Sequence, residues 1–397
     1  MSGSRALRCH LFCSVIDNYG DLGVCWRLAR HLATEHRIAV TLWVDDLISF
    51  AHLAPGLDSA CSEQMLGDIR VQRWQTGREL DDHDCADIVI EGFACRLPDS
   101  YLAAMATRLT PPLWLNLEYL SAEDWVEGCH AMPSIHPRTG LTQHFFFPGF
   151  TAGTGGLLRE AGLTAMLDTW RSDATVSAAF WRRIGAPEAA TAARRLSLFS
   201  YENTAMASLL DTLARDITPT CLLVFAGRAL TGVNTWLGRP LAIGDTAQRG
   251  ALSIHVLPLL DHTDYDHVLA LCDLNFVRGE DSFVRAQWAG APMLWHIYPQ
   301  DEDAHLIKLA AWQTRLETLA AAAGTPMPAS WSLALQAWNS DADRPDLQHQ
   351  SDWSQFLADL PEIRSAMQSW RQYLLAQPDL ATQLMRFYAD RVESRPK

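Results

Sequence analysis

The sequence predicts an α/β protein: two doubly wound domains followed by a helical C-terminal tail. Three observations carry this. Short apolar runs of strand length alternate with stretches of helical spacing. The alternation lapses into an Ala-rich helical stretch over 162–195 and then restarts. The last part of the chain is helical text punctuated by proline. At 397 residues the chain is too long for one ordinary core. The expected division is 1–180 for a first domain, 190–365 for a second, and 366–397 for a tail that packs back on the first.

The opening run, 7–16 (LRCHLFCSVI), is a buried strand that ends in Asp17-Asn18-Tyr19-Gly20-Asp21-Leu22-Gly23. Helical spacing follows over 24–32, then a second strand over 38–44 closed by Asp45-Asp46. That β–loop–α–β unit opens a parallel sheet. Further strands are expected at 69–74, 87–91, 113–117 and 145–150, with a helix over 98–108. After the Ala-rich stretch come strands at 196–201, 220–227, 252–260, 272–278 and 293–297. Helices are expected over 203–215, 265–271 and 305–323, and a terminal one over 379–392.

The bulk properties exclude several functions. A net charge of −14 repels nucleic acid and anionic membranes, so any phosphate site has to be local and backbone-assisted. No apolar run approaches a membrane span and the first thirty residues carry no signal-peptide core, so the cytoplasm is the expected compartment. Nine scattered cysteines without a Cys-x-x-Cys pair read as small buried hydrophobes in a reducing compartment. The histidines form no ligand spacing, and no metal is expected.

Open α/β sheets bind ligands beyond the carboxyl ends of their strands, and two such loops carry unusual chemistry. The loop 17–23 pairs glycines with Asp17 and Asp21. It is not Gly-x-Gly-x-x-Gly, and carboxylates are electrostatically wrong beside a pyrophosphate, even though Asp45 stands where a ribose-binding acid would. Such acids suit a general base or a cationic group; equally, Asp21 can simply favour the following helix. The loop 278–282 joins a strand to a helix ending at Gly290. Arg278, Ser282 and free backbone amides there make an anion site, unless it is an ordinary turn with its charges in water. Glu280 suits a hydroxyl or acceptor group better than a phosphate. Phe199 and Tyr201, ending another strand, could stack on a base, although core packing is the commoner use. His296 reads as a core residue.

The pairing of Asp17-Asn18-Tyr19-Gly20-Asp21-Leu22-Gly23-Val24 with Phe276-Val277-Arg278-Gly279-Glu280-Asp281-Ser282-Phe283-Val284-Arg285-Ala286-Gln287-Trp288 resembles the protein-arginine rhamnosyltransferases that modify bacterial elongation factor P. The run 293–298 (MLWHIY) extends the match, and the resemblance covers essentially the whole chain. It implies a GT-B architecture, two Rossmann-like domains facing across a cleft. It further implies inverting transfer of rhamnose from TDP-β-L-rhamnose to one arginine of elongation factor P, with no metal or other cofactor. By the same resemblance, Asp17 is the proposed general base, Asp21 a second acid near the acceptor guanidinium, and Glu280 the essential glutamate of the donor-side motif. Asn18, Tyr19, Gly20, Phe199, Tyr201, His262, Arg278, Gly279, Asp281, Ser282 and Tyr298 fall to the donor. The chain has Leu257-Pro258-Leu259 where some members carry Leu-Pro-Phe beside the thymine, so Phe199 or backbone near His262 would have to compensate. Alternatives are another GT-B nucleotide-sugar enzyme, such as a 2-epimerase or a transferase with a different acceptor, and a non-catalytic nucleotide-sugar-binding module. The intact Asp17 and Glu280 weigh against the last.

Overall fold

A computed structural model describes residues 6–15, 20–75, 85–340 and 351–393. The chain divides into two units, Met1–Ala161 with Ala376–Lys397, and Gly162–Leu375. The predicted Asp17, Asn18 and Tyr19 lie outside the described residues.

The first unit holds an eight-stranded sheet. Its strands are β1 (Arg8–Cys13), β2 (Ala39–Val44), β3 (Glu63–Leu66), β4 (Ile69–Arg73), β5 (Ile88–Gly92), β6 (Leu113–Leu117), β7 (Pro133–Ile135) and β8 (Thr142–Phe146). The order is β3-β4-β2-β1-β5-β6-β8-β7. From β1 the chain winds outward through β2 and β4, then returns to β5 on the other flank, so the topological switch falls between β1 and β5. Both of those pairings are parallel. Every residue of β5 and β6 is buried, as expected of central strands covered on both faces. The two antiparallel strands, β3 and β7, cap the edges.

The second unit holds β9 (Arg194–Leu198), β10 (Thr220–Phe225), β11 (Thr246–Arg249), β12 (Leu252–Leu257), β13 (Leu274–Arg278) and β14 (Met293–His296). Their order, β11-β12-β10-β9-β13-β14, places the switch between β9 and β13. Only β11 runs antiparallel among the described strands of this sheet.

The boundaries differ from the sequence expectation in two places. Helices Leu163–Ser172 and Ala174–Arg183 belong to the second unit, not to the first domain or a linker. Arg171 donates to the Ala270 carbonyl at 3.2 Å, and Arg371 pairs with Asp168 at 3.1 Å. Helix Leu360–Leu375 also stays with the second unit, where Gln368 donates to the Gly290 carbonyl at 2.7 Å. The returning piece therefore starts at Ala376, not at 366. Its helix, Leu380–Glu393, sinks Leu380, Ala381 and Leu384 into the same core as Leu28 and Leu32 of helix Gly20–His36. Where the chain crosses back, Gly156 has φ +74°, and a Cβ there would lie 2.4 Å from the Pro378 carbonyl oxygen. Glycine is required by both conformation and space.

All nine cysteines are free, and seven are buried, consistent with the reading of small hydrophobes. No helix among the described residues is long and apolar enough to cross a membrane.

Candidate active site

In the second unit, the carboxyl ends of β9, β10, β13 and β14 bring their side chains together. The Arg278 guanidinium, at the end of β13, lies 4.3 Å from the Phe199 ring and 4.9 Å from the Tyr201 ring, both just beyond β9. This contact spans the switch point, where an open sheet parts and ligands bind. Phe199 N–H donates to the Phe276 carbonyl, carrying the β9–β13 pairing one residue further and fixing the ring beneath the cation. Arg228 approaches the Tyr201 ring at 5.6 Å from the start of the helix after β10. The sequence reading did not single it out. Its signal was available: a buried strand gives way to Ala226-Gly227, and the helix that follows opens on a cation.

The turn 278–282 is held from three sides. Gly279 takes φ +58°, which an L side chain resists. The Ser282 hydroxyl accepts from the Arg278 N–H at 3.0 Å and donates to the Arg278 carbonyl. Trp295 donates its indole N–H to the Gly279 carbonyl at 2.8 Å, and its ring stacks on Phe283 at 3.7 Å. Ser282 thus closes the turn in addition to standing at the helix start where a phosphate contact is expected of it. The N-cap of helix Asp281–Ala289 is Glu280, without a side-chain cap hydrogen bond. Glu280 therefore sits at the positive end of the helix with Asp281 in its first turn.

His262 opens helix His262–Leu271, is nearly fully buried, and places Nε2 3.9 Å from the Asp281 carboxylate. Behind both helix starts, Arg285 and Asp266 form a buried bidentate pair at 2.9 and 2.6 Å. It locks helix Asp281–Ala289 to helix His262–Leu271. Tyr298 is 43% exposed, with its ring edge-on to Tyr201 at 5.6 Å. His296 packs against Tyr201 at 5.3 Å and is a core residue, as read. Burial, then the neighbouring Arg278 and His305, push its pKa down to about 3, so it is neutral. Leu257 is buried, Pro258 is exposed and Leu259 half-buried, so this segment presents no aromatic face. Glu302 and Asp303 both take left-handed backbone (φ +56° and +57°), and the helix begins only at Ala304.

In the first unit, the helix begins at Gly20, four residues before the expected start, so Asp21 lies in its first turn and is buried. Helix Gly20–His36 places Asp21 at the carboxyl side of β1, beside the switch point. Asp45 accounts for itself structurally. It accepts from the Ser14 hydroxyl at 2.5 Å and the Val15 N–H at 2.9 Å, holding the exit of β1. That occupation removes the remaining support for a dinucleotide reading.

The model of the family "Elongation-Factor P (EF-P) rhamnosyltransferase EarP" matches residues 9–389. The chain belongs to that family. A protein-arginine rhamnosyltransferase of Pseudomonas putida is 48% identical over 380 residues, covering 95% of this chain and 97% of the relative. A solved structure described as the structural basis for EarP-mediated arginine glycosylation of translation elongation factor EF-P superposes with a TM-score of 0.64. It is 34% identical, and the match covers 96% of this chain and 99% of that one. MurG of Acinetobacter baumannii, 12% identical over 97% of this chain and 100% of its own, has a TM-score of 0.51 and speaks for the fold alone. The enzyme is thus a protein-arginine rhamnosyltransferase, a glycosyltransferase of the GT-B fold class. Within this rhamnosyltransferase, the second unit gathers Phe199, Tyr201, Arg278, Gly279, Glu280, Asp281, Ser282, His262 and Tyr298 around one switch point. Gly20 and Asp21 stand with the first unit.

Proposed function

We propose that the enzyme transfers L-rhamnose from TDP-β-L-rhamnose to the side chain of one arginine of elongation factor P, with inversion and without a metal. The observation that carries the donor side is the Arg278–Phe199–Tyr201 cluster at the switch point, with a helix N-terminus beside it. The diphosphate fits Arg278 and the amides of helix Asp281–Ala289, and the aromatic rings and Tyr298 fit the nucleoside. Glu280, whose charge would repel the phosphates, would serve the sugar or the incoming guanidinium.

The acceptor side belongs to the first unit. An arginine guanidinium is protonated in water and its nitrogen lone pairs are delocalised, so it is a poor nucleophile. Asp17 as base and Asp21 as second acid would bind its forked donors and take one proton as the nitrogen attacks the anomeric carbon. The C–N bond forms as the anomeric C–O bond breaks, and TDP leaves with its charge stabilised by Arg278 and the helix end. Attack opposite the leaving group converts a β-linked donor to an α-linked product. The proposed acceptor, a translation factor, puts the reaction in the cytoplasm.

Incubation with elongation factor P and TDP-rhamnose, followed by intact mass of the factor, tests the reading. One added deoxyhexose is expected, with the anomeric coupling of the product reporting the α configuration. Donor binding without transfer to the factor would refute the acceptor; preference for a UDP-sugar would refute the donor. Asp17→Asn is expected to abolish transfer and leave TDP affinity nearly unchanged. Loss of TDP binding in that variant would move Asp17 to the donor side.

A further inference from the structure

The first unit contains a cluster that the transfer chemistry does not use. His31 and His36, on helix Gly20–His36, meet Asp379, the residue before helix Leu380–Glu393. One donor atom from each of the three lies within 4.8 Å of the others. His31 is 1% exposed, and neither of its ring nitrogens has a hydrogen bond. Its Nε2 nevertheless stands 3.0 Å from Glu35 Oε2 and 3.7 Å from Asp379 Oδ1. An imidazole that close to a carboxylate without hydrogen-bond alignment has the geometry of two groups aimed at a common centre. Tetrahedral zinc, with bonds of about 2.0–2.2 Å, sets its donor atoms roughly 3.3–3.5 Å apart. The two His31 distances bracket that spacing.

The carboxylates are already oriented by outer contacts. Asp379 accepts from the Thr382 N–H at 2.8 Å and the Thr382 hydroxyl at 2.7 Å, and Glu35 Oε1 accepts from the Ala161 N–H at 2.8 Å. Such outer partners fix the ligands of a metal and tune their basicity.

We propose that His31, His36 and Asp379, with Glu35 or water as fourth ligand, form a structural site for a divalent cation of the zinc class. Two imidazoles favour zinc over magnesium or calcium, which prefer all-oxygen shells. His31 is ten residues beyond Asp21, about 15 Å along the helix, so the ion would take no part in transfer. Its office is mechanical: it clasps the returning C-terminal helix to the first helix. No spacing in the sequence could reveal it, because the third ligand comes from the other end of the chain.

The test uses the full chain stripped by dialysis against a chelator and titrated calorimetrically with zinc sulfate. One equivalent is expected to bind and to raise the thermal midpoint. His36→Gln, at the helix end, and Asp379→Asn, which keeps a capping side chain, are expected to fold as the apo wild type does and to weaken zinc at least about tenfold. The zinc-edge absorption spectrum is expected to contain nitrogen and oxygen neighbours only. Absence of stoichiometric binding would overturn the site. So would an affinity unchanged in both variants, or sulfur in the zinc shell.

Discussion

At the scale of single residues, Arg278 combines two features that lysine cannot share: a forked donor set, proposed above to hold a diphosphate, and a flat cation lying over two rings. Arg278→Lys keeps the charge but loses the fork and the stacked plane. A roughly tenfold loss of TDP affinity, about 1.4 kcal/mol, is expected by calorimetry, with little change in the thermal midpoint without nucleotide. Unchanged affinity would remove Arg278 from the donor site. His296, below that cluster, makes a different prediction. Its pKa falls from an ordinary 6.5 to about 3 in the folded protein, chiefly through burial. Between those values the unfolded chain binds a proton that the native state does not. Stability therefore falls as pH drops from about 6.5 toward 3 and is insensitive to this group above that window. His296→Phe, which keeps a ring against Tyr201, is expected to flatten the pH dependence of the urea midpoint between pH 6.5 and 4.5. An identical slope would assign the dependence to other groups.

At the scale of elements, the buried Asp266–Arg285 pair joins two helices whose first residues both belong to the candidate donor site. Arg285→Met leaves the Asp266 carboxylate buried without its partner, and a loss of about 3–5 kcal/mol is expected by denaturant unfolding. Adding Asp266→Leu should restore much of it; failure to do so would mean that Arg285 acts through packing alone. The central parallel strands were readable because they are continuous apolar runs of β length, and the helices between them because their periodicity is strong. The antiparallel edge strands β3, β7 and β11 escaped notice. All three residues of β7 are exposed, and β3 reads Glu63-Gln64-Met65-Leu66 with none of the four buried, so neither carries a hydrophobic pattern. The site was legible where a loop breaks composition: an arginine after a buried strand, a glutamate beside it. It was not legible where chemistry is ordinary until placed. Arg228 looked like any helix-start cation, the clasp that Ser282 makes on its own turn left no trace in the sequence, and Asp45 looked like a ribose acid rather than an anchor for β1.

At the scale of the whole molecule, the division of the chain is set by contacts that sequence cannot see. Helices over 163–183 are amphipathic and Ala-rich, and nothing in their composition says which unit they join; Arg171 and Asp168 decide it. The return at Ala376 is the larger consequence. Gly156→Ala is expected to push against the Pro378 carbonyl and destabilise the first unit selectively, read by hydrogen exchange unit by unit. Uniform exchange across both units, or none, would contradict a local clash. A chain stopped after residue 375 is expected to keep protection over 194–296 and to lose it in β1 and helix Gly20–His36, since Leu380, Ala381 and Leu384 would be missing from that core. Retained protection in β1 would show that the returning helix is dispensable. During synthesis this order is imposed on every molecule. The half that emerges first from the ribosome is expected to wait for Leu380, Ala381 and Leu384 to complete its core, while the half that emerges second can close as soon as it is complete. The unit that includes Asp17 and Asp21 is then the last to be finished, and under the proposed division of donor and acceptor sites a polypeptide truncated near its end is expected to hold nucleotide-sugar without yet being able to use it.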